Sequence, residues 1–212
     1  MIYISYTQLD HDLSPFRYQQ YLSLLSPELQ EKNMRYTQWK DRMANLFGKL
    51  LLADALERSG YVSDCMKAIN YNSYGRPYID DGIDFNLSHS GNYVICAIGR
   101  KLRLGVDIEE IKPVHFDEFS EVMTATQWQE IKQSGNPLRT FYSYWAIKES
   151  VIKADTRGMS ISLDKIIIGT DQATCENSTW FLTNININEQ YCSWLATDQN
   201  DAKIEIEYKR WD

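Results

Sequence analysis

Leu104-Gly105-Val106-Asp107-Ile108-Glu109-Glu110 alternates apolar and acidic residues with the two-residue period of a β-strand. Val106 and Ile108 then face a core, while Asp107 and Glu109 share the opposite face with Cα atoms ~6.5 Å apart. Two carboxylates so placed are half of a hard-cation site. Magnesium prefers oxygen ligands, commonly takes one or two carboxylates, and completes its shell with waters and substrate phosphates. An exposed acidic strand end produces the same pattern, so the metal reading needs a partner elsewhere in the chain.

The segments on either side set the fold class. Residues 93 to 98 form a short apolar run, and residues 166 to 168, 180 to 187, 191 to 196 and 204 to 208 read as further strands. In the last of these, Ile204, Ile206 and Tyr208 alternate with Glu205, Glu207 and Lys209, as expected of a strand with one wet face. Residues 16 to 25 suit a helix, and Ser26-Pro27 reads as the cap and first turn of a second. Met43, Leu46, Phe47, Leu50 and Leu51 follow the i, i+3, i+4, i+7, i+8 spacing of a buried helical stripe, with Gly60 as its stop. Residues 141 to 154 are again helix-compatible, and Gly75-Arg76-Pro77 is a turn. The expectation is an α/β (α+β) protein, its helices packed against largely antiparallel sheet.

Composition narrows the function classes. The 212 residues carry a net charge of -7, which argues against a general nucleic-acid surface, since such surfaces carry excess Lys and Arg. Any phosphate must therefore be held locally. The opening residues lack the basic and apolar regions of an export signal and no apolar run approaches ~20 residues, so the expected location is cytoplasmic, with no membrane partner. Cys65, Cys96, Cys175 and Cys192 include no CxxC pair and have no metal-ligand spacing with the three histidines, which predicts reduced thiols.

The partner for the acidic strand lies in Trp145-Ala146-Ile147-Lys148-Glu149-Ser150-Val151-Ile152-Lys153-Ala154. Trp145, Glu149 and Lys153 recur every four residues and share a helix face, with Lys148 adjacent to Glu149. A surface Glu-to-Lys pair worth ~0.2 to 0.5 kcal/mol is the bland alternative. A third segment, Phe85-Asn86-Leu87-Ser88-His89-Ser90-Gly91, is read as a turn whose histidine and hydroxyls offer donors to a phosphate. A Ser-His-Asp hydrolase built on Ser88, His89 and Asp107 is disfavoured, because neighbours on an extended chain point opposite ways and no GxSxG elbow is present.

Taken in order, GRP, FNLSHSGNYV, LGVDIEE and WAIKESVIKA resemble the surfactin-type 4′-phosphopantetheinyl transferases, whose motifs run approximately GKP, FNxSHS, GxDIE and WxxKEAxxK. The helical stretch at residues 26 to 52 is similar to that family's opening helix pair. The resemblance implies transfer of the phosphopantetheine arm of coenzyme A to a serine of an apo acyl or peptidyl carrier protein. It implies Asp107, Glu109 and Glu149 as magnesium ligands, and Lys153, with Lys148 nearby, on the coenzyme A diphosphate. Ser88 and His89 would hold the nucleotide end, with His89 on the 3′-phosphate. Gly75, Arg76 and Pro77 would line the adenine side, and Lys32 and Arg35 would lie near the 3′-phosphate.

The implied fold is two similar α/β halves, residues 1–102 and 103–212, related by a pseudo-twofold axis with the ligand cleft between them. One such chain would suffice as a monomer. Three residues depart from the pattern: Arg76 replaces a lysine, Ala44 stands where some members carry an arginine, and Gln127 replaces a glutamate. The contact missing at Ala44 then falls to Arg42 or Arg35. Glu149, directly or through a water, is the expected base for the incoming serine, with Lys153 beside it in the catalytic set. Phe116, Phe119, Met123 and Trp128 are candidates for carrier docking or, equally, a core helix face. A pyrophosphate hydrolase and a non-catalytic coenzyme A or carrier-binding module are the rival readings.

Overall fold

In the computed structural model, which describes residues 1–9, 13–60, 69–79 and 82–211, the chain runs β1 (Ile2–Gln8), α1 (Pro15–Leu22), α2 (Pro27–Met34), α3 (Trp39–Arg58), β2 (Asn70–Tyr71), β3 (Pro77–Tyr78), β4 (Ile83–Ser90), β5 (Tyr93–Arg100) and β6 (Leu104–Glu110). There follow α4 (Ala125–Gln133), α5 (Pro137–Asp155), β7 (Ile166–Ile168), β8 (Gln172–Cys175), β9 (Ser178–Asn184), β10 (Tyr191–Thr197) and β11 (Ile204–Tyr208). The helix starts carry local chemistry that fixes them. Ser14, Ser26 and Asn136 accept from the backbone N–H three residues on, each followed by proline at the first helical position. Thr124 and Gln127 form a reciprocal capping box at the start of α4, so the glutamine at the departed position satisfies the cap as an acid would.

Two large sheets form, one ordered β11-β1-β5-β4 and the other β6-β10-β9-β8-β7, beside a two-stranded β2-β3 hairpin. Pairing is antiparallel except where β11 returns from the end of the chain to lie parallel to β1, Ile2 opposite Ile204. The alternation of β5 divides its side chains between two cores. Val94, Cys96 and Ile98 pack with Met43, Leu46, Phe47, Leu50 and Leu51 of α3. Tyr93, Ile95 and Ala97 pack with Ile2 and Ile4 against Val106, Ile108 and Leu195 of the second sheet. The outer face of that second sheet packs Trp180, Leu182 and Ala196 against Ile147, Val151 and Ile152 of α5. The result is two α/β halves in the layer order helix, sheet, sheet, helix.

The FNLSHS segment is a strand, not the turn expected of it: it is most of β4, paired with β5 through Ser90 opposite Tyr93. Its polar residues look loop-like in sequence because their partners lie outside its own sheet. Gly91, at φ +56°, makes the turn instead. Cys96, Cys175 and Cys192 are buried free thiols, and Cys65 lies outside the described residues. Among the described residues no helix is long and apolar enough to cross a membrane.

Candidate active site

β4 and β6 are edge strands of different sheets, so the outward N–H groups of β6 lack backbone partners from β4. The alternate side chains of β4 supply them. Asp84 Oδ2 accepts from Leu104 N–H at 2.8 Å, Asn86 Oδ1 from Val106 N–H at 3.0 Å, and Ser90 Oγ from Glu110 N–H at 3.0 Å. The hydroxyls of the same ladder then orient the acids: Ser88 donates to Asp107 Oδ1 at 2.8 Å and Ser90 to Glu109 Oε2 at 2.9 Å.

α5 closes the other side. Gly105 makes this possible, since a Cβ there would lie 2.5 Å from the Ala154 nitrogen and inside the Ser150 carbonyl. At that close approach Lys153 Nζ donates to Asp107 Oδ1 at 2.6 Å and to Ser88 Oγ at 3.0 Å. Trp145 Nε1 donates to Glu109 Oε1 at 3.1 Å. Burial and then the Asp107 charge push the Glu109 carboxyl up to about 7. The same two causes, in the same order, raise Glu149, with Lys153 opposing. The Asp107 charge thus bears on both glutamates in a partly dry place, with the Lys153 ammonium opposing it.

Among the described residues no group of three or more His, Cys, Asp or Glu side chains stands as a ready-made metal cluster. The donor set nevertheless fits a hard cation. Asp107 Oδ2 is buried without a hydrogen-bond partner, and the acids around it are all-oxygen ligands in charge excess.

The remaining expected residues divide. Gly75, at φ +78°, turns the β2-β3 hairpin, in which Asn72 Oδ1 accepts from the N–H groups of Tyr74 and Arg76. The Arg76 guanidinium is turned inward: it pairs with both oxygens of Asp84 at 2.7 and 3.0 Å and donates to the carbonyls of Lys153 and Leu104, each at 2.9 Å. It caps the end of α5 and grips the start of β6, so its side chain is a clasp between the halves rather than a ligand contact. The expected phosphate role of Lys148 is likewise corrected. That ammonium is fully buried and donates to the carbonyls of Val122 and Leu163, because the helix turns it away from the Glu149-Lys153 face.

Lys32 lies 5.6 Å from the centroid of the Tyr71 ring, and Arg35 pairs with Glu31 one turn back on the exposed face of α2. Arg42 donates to the carbonyls of Tyr36 and Met34, so neither arginine is turned toward the place vacated at Ala44. His89 and Ser88 line a cavity beside Ala44. Sequence reasoning missed the Asp84 half of the clasp and the Asp84, Asn86, Ser90 ladder. The signal was present as polar residues at every second position from 84 to 90.

Family models define the class. Residues 103–206 match the 4′-phosphopantetheinyl transferase superfamily, and residues 13–100 match the 4′-phosphopantetheinyl transferase N-terminal family. Similar proteins include the 4′-phosphopantetheinyl transferase Sfp of Bacillus subtilis, 31% identical over 168 residues that cover 77% of this chain and 75% of that one. The 4′-phosphopantetheinyl transferase gsp of Aneurinibacillus migulanus is 32% identical over 152 residues, 71% of this chain and 64% of its own. A Xenopus laevis L-aminoadipate-semialdehyde dehydrogenase-phosphopantetheinyl transferase is 26% identical over 209 residues, 84% of this chain and 69% of its own. The chain belongs to the 4′-phosphopantetheinyl transferase superfamily.

Proposed function

We propose that this chain moves the 4′-phosphopantetheine group of coenzyme A onto a serine of an apo acyl or peptidyl carrier protein, releasing 3′,5′-adenosine diphosphate, with magnesium required. The observation that carries this reading is the meeting of Asp107, Lys153 and Ser88 at the joint between the halves, beside Glu109 in its hydrogen bond from Ser90. Asp107, Glu109 and Glu149 are the residues to hold the metal, which when bound supplies positive charge to the diphosphate. Lys153 adds a fixed cation where charge develops on the departing phosphate oxygens. Glu149, half-buried and raised by burial and by the Asp107 charge, takes the proton of the incoming serine hydroxyl.

In this reading residues 1–102 bear the nucleotide contacts and residues 103–212 the diphosphate contacts. The enzyme acts as a cytoplasmic monomer. Phe116, Phe119 and Trp128 are half-buried around Phe141 and Met123, and their exposed edges are the surface offered to the carrier. Incubation with coenzyme A, magnesium and an apo carrier, read by intact mass, tests the whole. A carrier heavier by one phosphopantetheine supports transfer, whereas free phosphopantetheine with an unchanged carrier means hydrolysis. Glu149→Gln turning over near the wild-type rate would remove that residue from both of its roles.

A further inference from the structure

A cavity of about 150 Å³ opens between α3 and β4, with Tyr36, Asp41, Ala44, Asn45, Lys49 and His89 among its walls. One water needs ~10 to 15 Å³, so there is room for a group of several heavy atoms. Lys49 is the unexplained residue in it. Among the described residues its ammonium has no hydrogen-bond or ion-pair partner, although the side chain is half-buried. Its charged neighbour is another cation, Lys32, and burial first and Lys32 second hold Lys49 below the ordinary lysine value. A half-buried cation without an acceptor costs free energy in the free protein, and an anion entering the cavity would recover it.

The other cations of this region are turned elsewhere: Lys32, which is not among the lining residues, lies over the Tyr71 ring. Arg35 is paired with Glu31, and Arg42 with the carbonyls of Tyr36 and Met34. Ala44, on the same wall, contributes no donor, while Asn45 and His89 contribute neutral or titratable ones. Asp41 is the one acid in the lining, which leaves the cavity dependent on Lys49 for fixed positive charge.

We propose that Lys49 is the specificity-determining cation of this chain for a terminal phosphate monoester, taking over in the cavity beside His89 the contact that Ala44 lacks. The proposal rests on the coenzyme A reading above, in which that monoester is the 3′-phosphate. It says that discrimination between coenzyme A and its 3′-dephospho form is carried by Lys49 and not by Arg35 or Arg42.

The test compares wild type, Lys49→Met and Lys49→Arg with coenzyme A and 3′-dephospho-coenzyme A as donors. Binding of 3′,5′-adenosine diphosphate and of 5′-adenosine monophosphate is measured by calorimetry, without carrier or turnover. Methionine nearly conserves the volume, and the thermal midpoint of each variant confirms folding. Loss of one charge-assisted contact predicts that Lys49→Met weakens coenzyme A and 3′,5′-adenosine diphosphate by about 10- to 100-fold while leaving the two ligands without the 3′-phosphate unchanged. Lys49→Arg should recover part of the loss. A Lys49→Met protein that keeps the wild-type ratio between the two donors, or weakens both equally, overturns the proposal alone. A wild-type protein that neither binds nor uses either donor overturns the coenzyme A reading and this inference with it.

Discussion

Replacing Arg76 by methionine should destabilise the fold far more than a typical surface substitution, because the guanidinium and Asp84 are buried together. Their side chains are 11% and 12% exposed. The substitution removes both contacts to the carboxylate and the caps on the Lys153 and Leu104 carbonyls. Asp84 keeps its two backbone donors, Phe85 N–H and Leu104 N–H, but loses its counter-charge. Leaving one partner of a buried pair uncompensated costs about 3 to 5 kcal/mol. At roughly 2 to 4 °C per kcal/mol for a chain of this size, the thermal midpoint should fall by roughly 6 to 20 °C. Arg76→Lys keeps the charge but cannot reach two carboxylate oxygens and two carbonyls together, so it should fall between. Adding Asp84→Asn to Arg76→Met should restore part of the loss, since the stranded charge is gone. Urea unfolding followed by circular dichroism measures wild type, the Arg76→Met, Arg76→Lys and Asp84→Asn single variants and the double variant. An Arg76→Met variant within 1 kcal/mol of wild type, or a double variant no more stable than the sum of the singles, would refute the clasp; the 1 kcal/mol limit is about the size of one ordinary hydrogen bond.

Magnesium should raise the thermal midpoint of the wild type at neutral pH and leave Asp107→Asn unmoved, as scanning fluorimetry with and without chelator will read. Gly105→Ala should force α5 away from β6, because the obstructing atoms are backbone and cannot rotate aside, and should lower both stability and turnover. Normal melting and normal rate in that variant would contradict the close approach. Burial pushes the Lys148 ammonium down to about 8 from 10.5, so the unfolded chain holds that proton more tightly. Stability relative to Lys148→Met should therefore rise between about pH 8 and 10.5, and parallel denaturation curves for the two proteins across that window would refute the shift.

Periodicity carried much of the fold. Residues 166 to 168 and 204 to 208 are strands with the bounds read from sequence, and the stripe from Met43 to Leu51 lies buried inside α3. Both succeed because local spacing and tertiary burial agree there. β1 and the polar strand β4 were not legible. The first reads as the start of a chain and is made a strand by partners some hundred and two hundred residues away, Gly99 and Ile204 opposite Ile2. The second is composed of turn-forming residues, and its stability as a strand comes from bonds to another sheet that no local window contains.

The candidate site shows the same division. That Asp107 and Glu109 share a strand, and Trp145, Glu149 and Lys153 a helix face, follows from the periods 2 and 3.6 alone. What faces those acids does not, because the helical period separates Lys153 from Lys148 without saying which face docks on β6. Docking leaves Lys153 on Asp107 and buries Lys148 against two carbonyls. Arg76 is similar: a basic residue in a turn reads as a ligand contact, and only the packing of Asp84 beneath it reveals a clasp.

The joint between the sheets explains why acids of like charge can be held so close. If β4 and β6 paired through their backbones, the two halves would fuse into one continuous sheet and the side chains of β4 would have no reason to reach β6. Asp84, Asn86 and Ser90 accept from the edge N–H groups instead; the Ser90 hydroxyl also donates to Glu109, and Ser88 on the same face donates to Asp107. The ladder thus converts the cost of an unpaired edge into orientation of the acids before any ligand arrives. A substitution such as Ser90→Ala is then expected to act twice, orphaning the Glu110 N–H and releasing Glu109, which an alanine elsewhere on the same strand would not do.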